Sequence, residues 1–465
     1  MKHLTRREAL KSVGLTLGGL ALGNQALANN AEETPTTVEL RTPQYAPLAK
    51  PVTAITLGAG NRGNVYGGFS VEAADELDII GVAEPILIRN ERYAKKHNID
   101  AKNCFKTWED VFLVPKFADA ILITMPDNLH YEACMKALAA GYHVLLEKPI
   151  AQTEQECRNI LAQAKRFNRI VAVCHVLRYA PYFIKLKQMI NTGAIGQLIS
   201  IQHFEPISHI HMAHSYVRGN WHNSKATTPI ILAKSCHDLD ILRWLVGKPA
   251  KNISAMGDLK WFKSKNAPKG SAEWCLDCQV KNECPYDATK IYKVGGRWNH
   301  VLDLPDEATK HEETIKERLK TTNYGRCVYQ MDNDQCDHYI ANIEFEDGVT
   351  ASFSMEAFTD YEGRRTRVMG SMGSIVGDMS SFTHTDFLTG KATTYDAKSF
   401  SDDSYAAYGH GGGDFGLVRD WVRAIAAENP ALLTSTIDAS IESHVMGFAA
   451  ERSRLNRTVE AIKMD

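Results

Sequence analysis

The chain has 465 residues, 44% of them hydrophobic and 23% charged, with a formal net charge of −2 at pH 7. A balance this close to neutral, with no basic cluster, excludes a protein that grips nucleic acid or anionic lipid by charge. The length exceeds what one core usually supports and implies two domains, and ten cysteines are too sparse for the disulfide scaffold of a small secreted module.

Residues 1–28 read as a leader. Arg6-Arg7 and Lys11 precede an apolar run from Ser12 to Leu22, and Ala26-Leu27-Ala28 supplies a small-residue cleavage site, the pattern of a twin-arginine export signal. The run is about a dozen residues where a bilayer span needs roughly 20, so no membrane anchor is expected. Export of this kind carries proteins already folded, which implies a periplasmic protein able to take a cofactor with it. Residues 29–51, with Pro35, Pro43, Pro47 and Pro51, read as an arm.

Val52 to Glu84 is one unit. An apolar strand, Val52 to Leu57, enters Gly58-Ala59-Gly60-Asn61-Arg62-Gly63, and a second strand, Leu77 to Ala83, ends on Glu84. Gly58 allows the tight turn, Gly60 lets backbone approach a pyrophosphate, and Gly63 lets the next helix pack closely. The helix N-terminus offers unpaired N–H groups to the phosphates. Glu84 stands 21 residues after Gly63, near the roughly 20 expected of an acid that binds a ribose. A carboxylate there repels a 2′-phosphate, which favours NAD over NADP.

The βα rhythm continues through Asp119 to Thr124, His143 to Glu147 and Ile170 to Cys174, apolar runs suited to a parallel sheet buried on both faces. Ligands bind beyond the carboxyl ends of such strands. Cofactor contacts are therefore expected from Asn61, Arg62, Pro126, Asn128, His130, Glu147, Lys148 and His175, with Asn128, Lys148 and His175 around the nicotinamide.

The glycine turn, Pro126 to His130, Gly141 to Pro149 with its Glu147-Lys148-Pro149, Arg178-Tyr179 with Pro181, and Asn191 to Gly196 together resemble the glucose–fructose oxidoreductase, inositol dehydrogenase and MocA (Gfo/Idh/MocA) family. The resemblance implies that Lys148 lies beside the nicotinamide and the substrate hydroxyl. Burial would push an amine there towards neutrality while Glu147 pushes the other way, leaving a group able to relay a proton. The expected fold is α/β: an N-terminal Rossmann domain over residues 52–177, then an α+β domain over 178–435 with an open, mostly antiparallel sheet and a Cys-containing insertion at 265–335. A helix in 436–465 packs back on the first domain.

In the second domain, Tyr182 to Thr192 predicts a helix, and strands are expected at Leu198 to Phe204, Lys251 to Trp261, Tyr339 to Phe345 and Val349 to Met355. A loop dense in rings holds His209, His211, His214, Tyr216, Arg218, Trp221 and His222. Such side chains suit a carbohydrate's apolar face and hydroxyls, although a metal site or plain surface are alternatives. His237 and Asp240, three apart at a helix start, share a face. The resemblance implies substrate contact and acid/base work for that histidine. The family's aspartate four residues earlier is Ala233 here, with Lys234 beside it as a replacement or as a site for an acidic substituent. The segment 286–337 reads as a polar excursion. Tyr408 to Asp414, with His410 among glycines, reads as a loop approaching the ligand or as a hinge. Substrate contacts are thus expected from Arg178, Tyr179, Tyr216, Trp221, Lys234, Asp240 and His410, and catalysis from Lys148 and His237.

Cys275, Cys278, Cys284 and Cys327 have metal-like spacing, leaving structural zinc, disulfides or free thiols open. The functional expectation is oxidation or reduction at a secondary hydroxyl of a sugar by a tightly held cofactor. Two alternatives are NAD-dependent glycoside hydrolysis by transient oxidation, with Tyr179 or Tyr216 as base beside His237, and a silent sugar binder that retains NAD. A homo-oligomer is expected, because exposed sheets in this family commonly pair.

Overall fold

The computed structural model describes residues 46–400 and 409–464. The expected leader and most of the arm lie outside the described residues. The first sheet is built from β1 (Val52–Leu57), β2 (Leu77–Ala83), β3 (Cys104–Phe105), β4 (Ala120–Ile123), β5 (His143–Leu146) and β6 (Val171–Val173). All pairs are parallel, in the order β3-β2-β1-β4-β5-β6. Every residue of β4 and β6 is buried, which is why these strands read as unbroken apolar runs. The order reverses between β1 and β4, so a crevice opens at their carboxyl ends.

The second sheet has nine strands: β7 (Leu198–Pro206), β8 (Ala250–Asp258), β9 (His338–Phe345), β10 (Thr350–Glu356), β11 (Arg365–Gly370), β12 (Gly373–Gly377), β13 (Ser381–Asp386), β14 (Ala392–Asp396) and β15 (Val459–Ala461). Their order is β14-β13-β12-β11-β7-β10-β9-β8-β15, antiparallel except for the β7–β10 pair. Helices Pro181–Asn191 and Cys236–Val246 contribute Phe183, Leu186, Leu239 and Leu242 to the core that Ile253, Ile343, Phe353 and Val368 line from the sheet. The insertion joins this core. Tyr292, Leu302, Ile315 and Leu319 are buried in it, so 286–337 is a packed layer and not the polar excursion its composition suggests.

Two late helices hold the halves together. The helix Gly413–Ala426 packs Phe415, Val418, Trp421 and Val422 against Tyr66, Phe69, Ile79 and Leu122 of the first domain, although its place in the chain assigned it to the second. The helix Ile437–Asn456 buries Ile437, Ile441 and Val445 with Ile55, Ile123 and Val173, then Met446, Ala449 and Ala450 in the second core. Each large side chain among these contributes roughly 1.5–3 kcal/mol on burial. Among the described residues no helix is long and apolar enough to cross a membrane.

Candidate active site

The three glycines of the first turn differ in what they leave room for. Gly58 has φ +93°, and a Cβ there would sit 3.0 Å from the backbone of Thr124 and Met125. At Gly63 a Cβ would come within 2.2 Å of the Gly58 carbonyl oxygen. Gly60 faces open space instead, its nearest neighbour being an Arg89 guanidinium nitrogen at 3.9 Å. Two glycines are therefore demanded by packing, and the third keeps an approach clear for a ligand. Gly60 also caps the helix Asn61–Glu72, with no side chain bonded to the helix's first amides. Asn61 is exposed at this end. Glu84, at the end of β2, accepts from Ala59 N–H at 2.8 Å and Ile86 N–H at 3.0 Å, so the acid is fixed across the turn. Arg89, beside the turn, pairs with Asp303 of the insertion at 2.6 and 3.0 Å.

At the end of β5, Glu147 and Lys148 diverge. Glu147 takes Arg62 at 2.7 Å and Tyr66 at 2.9 Å on one oxygen, and the Lys148 N–H at 2.5 Å on the other. Arg62 also reaches Asp414 at 2.7 Å, so its guanidinium ties the glycine turn to β5 and to the first turn of the helix Gly413–Ala426. Lys148 Nζ donates to the Ala233 carbonyl at 2.6 Å and lies 5.5 Å from the Trp221 ring centroid. A backbone carbonyl thus holds the amine where the family pattern has an aspartate. Pro126 and Asn128 are exposed at the end of β4. His130 is buried, with its ring nitrogens 2.8 Å from the Pro149 carbonyl and 3.0 Å from that of Met125. It braces two strand ends and has no nitrogen left for a cofactor.

Opposite Lys148 stands His237, buried, with Nδ1 lacking a partner. Burial, reinforced by Lys148 and Arg364, holds its pKa well below the ordinary value. His175, at the end of β6, is buried too, and its ring centroid lies 5.9 Å from that of His237. Burial, then Arg178 and Lys148, lowers it likewise. His444 completes the group at 5.4 Å from His175 and accepts the Ile150 N–H at 3.0 Å.

Several expected substrate contacts are spent inside the protein. Arg178 grips Asp240 with two bonds, at 2.7 and 2.6 Å, and both are buried. The Tyr179 hydroxyl meets Ser435 at 2.9 Å. Lys234 pairs with Glu205 at 3.0 Å. Glu205 is shared with Arg364 at 2.9 Å, Arg364 meets Asp238 at 2.5 Å, and Asp238 takes His203 at 3.0 Å. Burial pushes Asp238 up, but Arg364 and His203 outweigh it and hold the carboxyl at about 2. Glu205, Asp238 and Arg364 are not marked by the sequence, which shows Asp414 only as an acid near His410.

The ring-rich loop is packed and not open. Met212–Arg218 forms a buried π-helical turn, in which the Tyr216 phenol is pushed well up by burial and Glu205. His214 stacks on Trp298 and Tyr324 and meets the Tyr292 hydroxyl at 2.7 Å. His209 contacts the Thr359 carbonyl, and His222 that of Gly219. Trp221 is the half-buried ring that reaches Lys148. Cys275, Cys278, Cys284 and Cys327 line one recess with Arg218, and all four are free thiols. Among the described residues no group of three or more His, Cys, Asp or Glu is arranged to hold a metal ion, so structural zinc gains no support.

Comparison with known proteins agrees with this geometry. A family model described as "Oxidoreductase family, NAD-binding Rossmann fold" matches residues 53–175, and one described as "Oxidoreductase family, C-terminal alpha/beta domain" matches residues 187–460. The protein YteT of Bacillus subtilis is 25% identical over 58% of this chain and 66% of its own length. Inositol 2-dehydrogenase of Serratia proteamaculans is 31% identical over 41% of this chain and 58% of its own. The chain thus spans less than two thirds of these curated relatives. Levoglucosan dehydrogenase in complex with NADH and levoglucosan is 16% identical with a TM-score of 0.66, covering 89% of this chain and 100% of that one. An inositol dehydrogenase homologue from Azotobacter vinelandii with NADH and myo-inositol is 14% identical with a TM-score of 0.63, covering 89% and 98%. At such identities the structures share the fold. With both halves matched in order, the chain belongs to the Gfo/Idh/MocA oxidoreductase family.

Proposed function

We propose that this protein is an exported, NAD-dependent oxidoreductase acting on a secondary hydroxyl of a sugar or sugar derivative, with its cofactor retained through the cycle. The observation that carries the reading is Lys148, an amine at the mouth of the crevice, anchored on the Ala233 carbonyl at 2.6 Å and facing the Trp221 ring. Gly58, Gly60, Gly63, the first amides of the helix Asn61–Glu72 and Glu84 would hold the dinucleotide. Bound NAD supplies a hydride acceptor or donor at the nicotinamide. Lys148 and His237, the imidazole kept neutral by burial, hydrogen-bond and orient the reacting hydroxyl as its proton leaves to a base. Trp221 offers an aromatic face to the sugar's C–H surface. Structural neighbours that hold myo-inositol or levoglucosan with NADH support a cyclic polyol or sugar as the substrate class.

The hydrolytic alternative gains no support from its two phenols. Tyr179 is buried and pushed up to about 12, first by burial and then by Asp420, and Tyr216 is raised further, so neither phenol ionises readily. Export through the twin-arginine leader and pairing of two copies belong to the proposal as well. The outer face of the second sheet, exposing Met256, Ile340 and Val376, supports pairing. The test is to incubate purified protein, without added cofactor, with a panel of free sugars and glycosides. A lasting change in nicotinamide absorbance is expected. Released aglycone with unchanged cofactor would overturn the reading in favour of hydrolysis, and silence in both channels with NAD still bound would favour a binder.

A further inference from the structure

A second imidazole shares the crevice with His237. His410 lies in the loop Gly409–Gly412, and its ring centroid is 6.1 Å from that of His237. Its side chain is 35% exposed, whereas Asp414 behind it is fully buried. His410 Nδ1 lies 3.1 and 3.2 Å from the two Asp414 oxygens. Burial alone would raise the Asp414 pKa, but Arg62 and His410 outweigh it and hold the carboxyl well below the usual range. A carboxylate that stays ionised only accepts, so Nδ1 must carry the hydrogen. With Nδ1 donating to Asp414, Nε2 is the ring nitrogen left to take a proton, the orientation in which a carboxylate–histidine pair performs proton transfer.

The backbone points the same way. His410 sits at φ 55°, ψ 33°, followed by Gly411 and Gly412 at φ 68° and 94°. A non-glycine residue in the left-handed region costs free energy, and such strain gathers at working sites. Asp414 also binds Arg62 of the glycine turn at 2.7 Å, which fixes the dyad to the part of the crevice where the cofactor would lie.

We propose that His410 is a further catalytic residue, a general base oriented by Asp414 that takes the proton of a substrate hydroxyl while Lys148 and His237 orient the sugar. The proposal rests on the oxidoreductase reading above. In the step, the substrate O–H bond breaks and an N–H bond forms at His410 Nε2. The resulting imidazolium is stabilised by Asp414, and the electron pair left on oxygen forms the C=O bond; NAD, held at the glycine turn, would take the hydride that leaves carbon.

The test uses the full chain loaded with NAD. His410→Asn keeps a residue that tolerates the left-handed backbone. It should lower kcat by about 10²-fold or more, the low end of a general base's contribution, with KM and NAD retention unchanged. His410→Gly should regain turnover when free imidazole is added, which a merely structural histidine would not allow. Independently of activity, NMR of ¹⁵N-labelled histidine should find His410 protonated on Nδ1. A His410→Asn variant with wild-type kcat, no imidazole rescue, or an Nε2–H tautomer would each overturn the role of His410 alone. A wild-type protein inert towards every sugar would overturn the oxidoreductase reading and this role with it.

Discussion

The wall of the crevice made by the first sheet and the wall made by the second are polar in different ways. On the first, the groups offered to a ligand are backbone amides at the glycine turn and the amine of Lys148, each placed by the end of a strand. On the second, Lys234, Glu205, Arg364, Asp238 and His203 form one chain of ion pairs drawn from β7, the start of the helix Cys236–Val246 and the segment before β11. Carboxylates there already have cations, as Asp240 has Arg178. The first wall is built to bind, and the second to hold a shape, with His237 and Trp221 as the side chains it turns towards the crevice.

The largest effect that would break this comparison is expected at the glycine turn. Gly63→Ala places a carbon 2.2 Å from the Gly58 carbonyl oxygen, so NAD uptake measured by calorimetry should vanish. Normal uptake would remove the packing argument. A paired experiment separates binding from shape. Lys148→Met should cut turnover by about 10²- to 10⁴-fold while the unfolding midpoint stays near wild type. Arg364→Met strips the buried Asp238 of its guanidinium and leaves Glu205 with Lys234 alone, and should cost about 3–5 kcal/mol in denaturant unfolding. Equal stability losses in both would erase the distinction.

Acid should act through the buried imidazoles. His175, His237 and His444 have folded pKa values depressed by burial, His444 to about 3. The unfolded chain takes up these protons below about pH 6.5, so their contribution is complete above that value. It is lost as pH falls towards the folded values, by up to about 1.4 kcal/mol per unit for each ring. Thermal unfolding should therefore move steadily lower through this window, and a flat profile would contradict the burial. The smallest effect is expected at the rim, where Arg89→Ala breaks the partly exposed pair with Asp303. Such pairs are worth about 1 kcal/mol or less, so NAD release should quicken only a few-fold; an unchanged release rate would free the insertion from any role in cofactor retention.

How much was legible in the sequence follows from where the partners lie. Strands β1, β2, β4, β5 and β6 are buried on both faces and read as apolar runs, and β7 to β10 alternate clearly. Strands β11 to β14 escaped notice because segments such as Ser381–Asp386 and Ala392–Asp396 are polar and half exposed. Arg62 and Glu84 were read from the motif alone, yet Arg62 spends its charge on Asp414, 352 residues away, which no local pattern announces. Arg178 reads as a substrate group from the family resemblance, and Asp240 from its place three residues after His237 on one helix face. Neither signal shows that the two pair with each other, 62 residues apart. The cysteine spacing did mark residues that meet in space, but not a ligand set.

The central claim is that the glycine turn holds NAD with Lys148 at its reactive end. Its most direct test is titration of cofactor-stripped protein with NAD, followed by irradiation of a photoreactive nicotinamide analogue and mapping of the crosslink. The account predicts one NAD per chain and attachment at or beside Lys148. Absence of uptake, or a crosslink confined to residues outside the crevice, would contradict it.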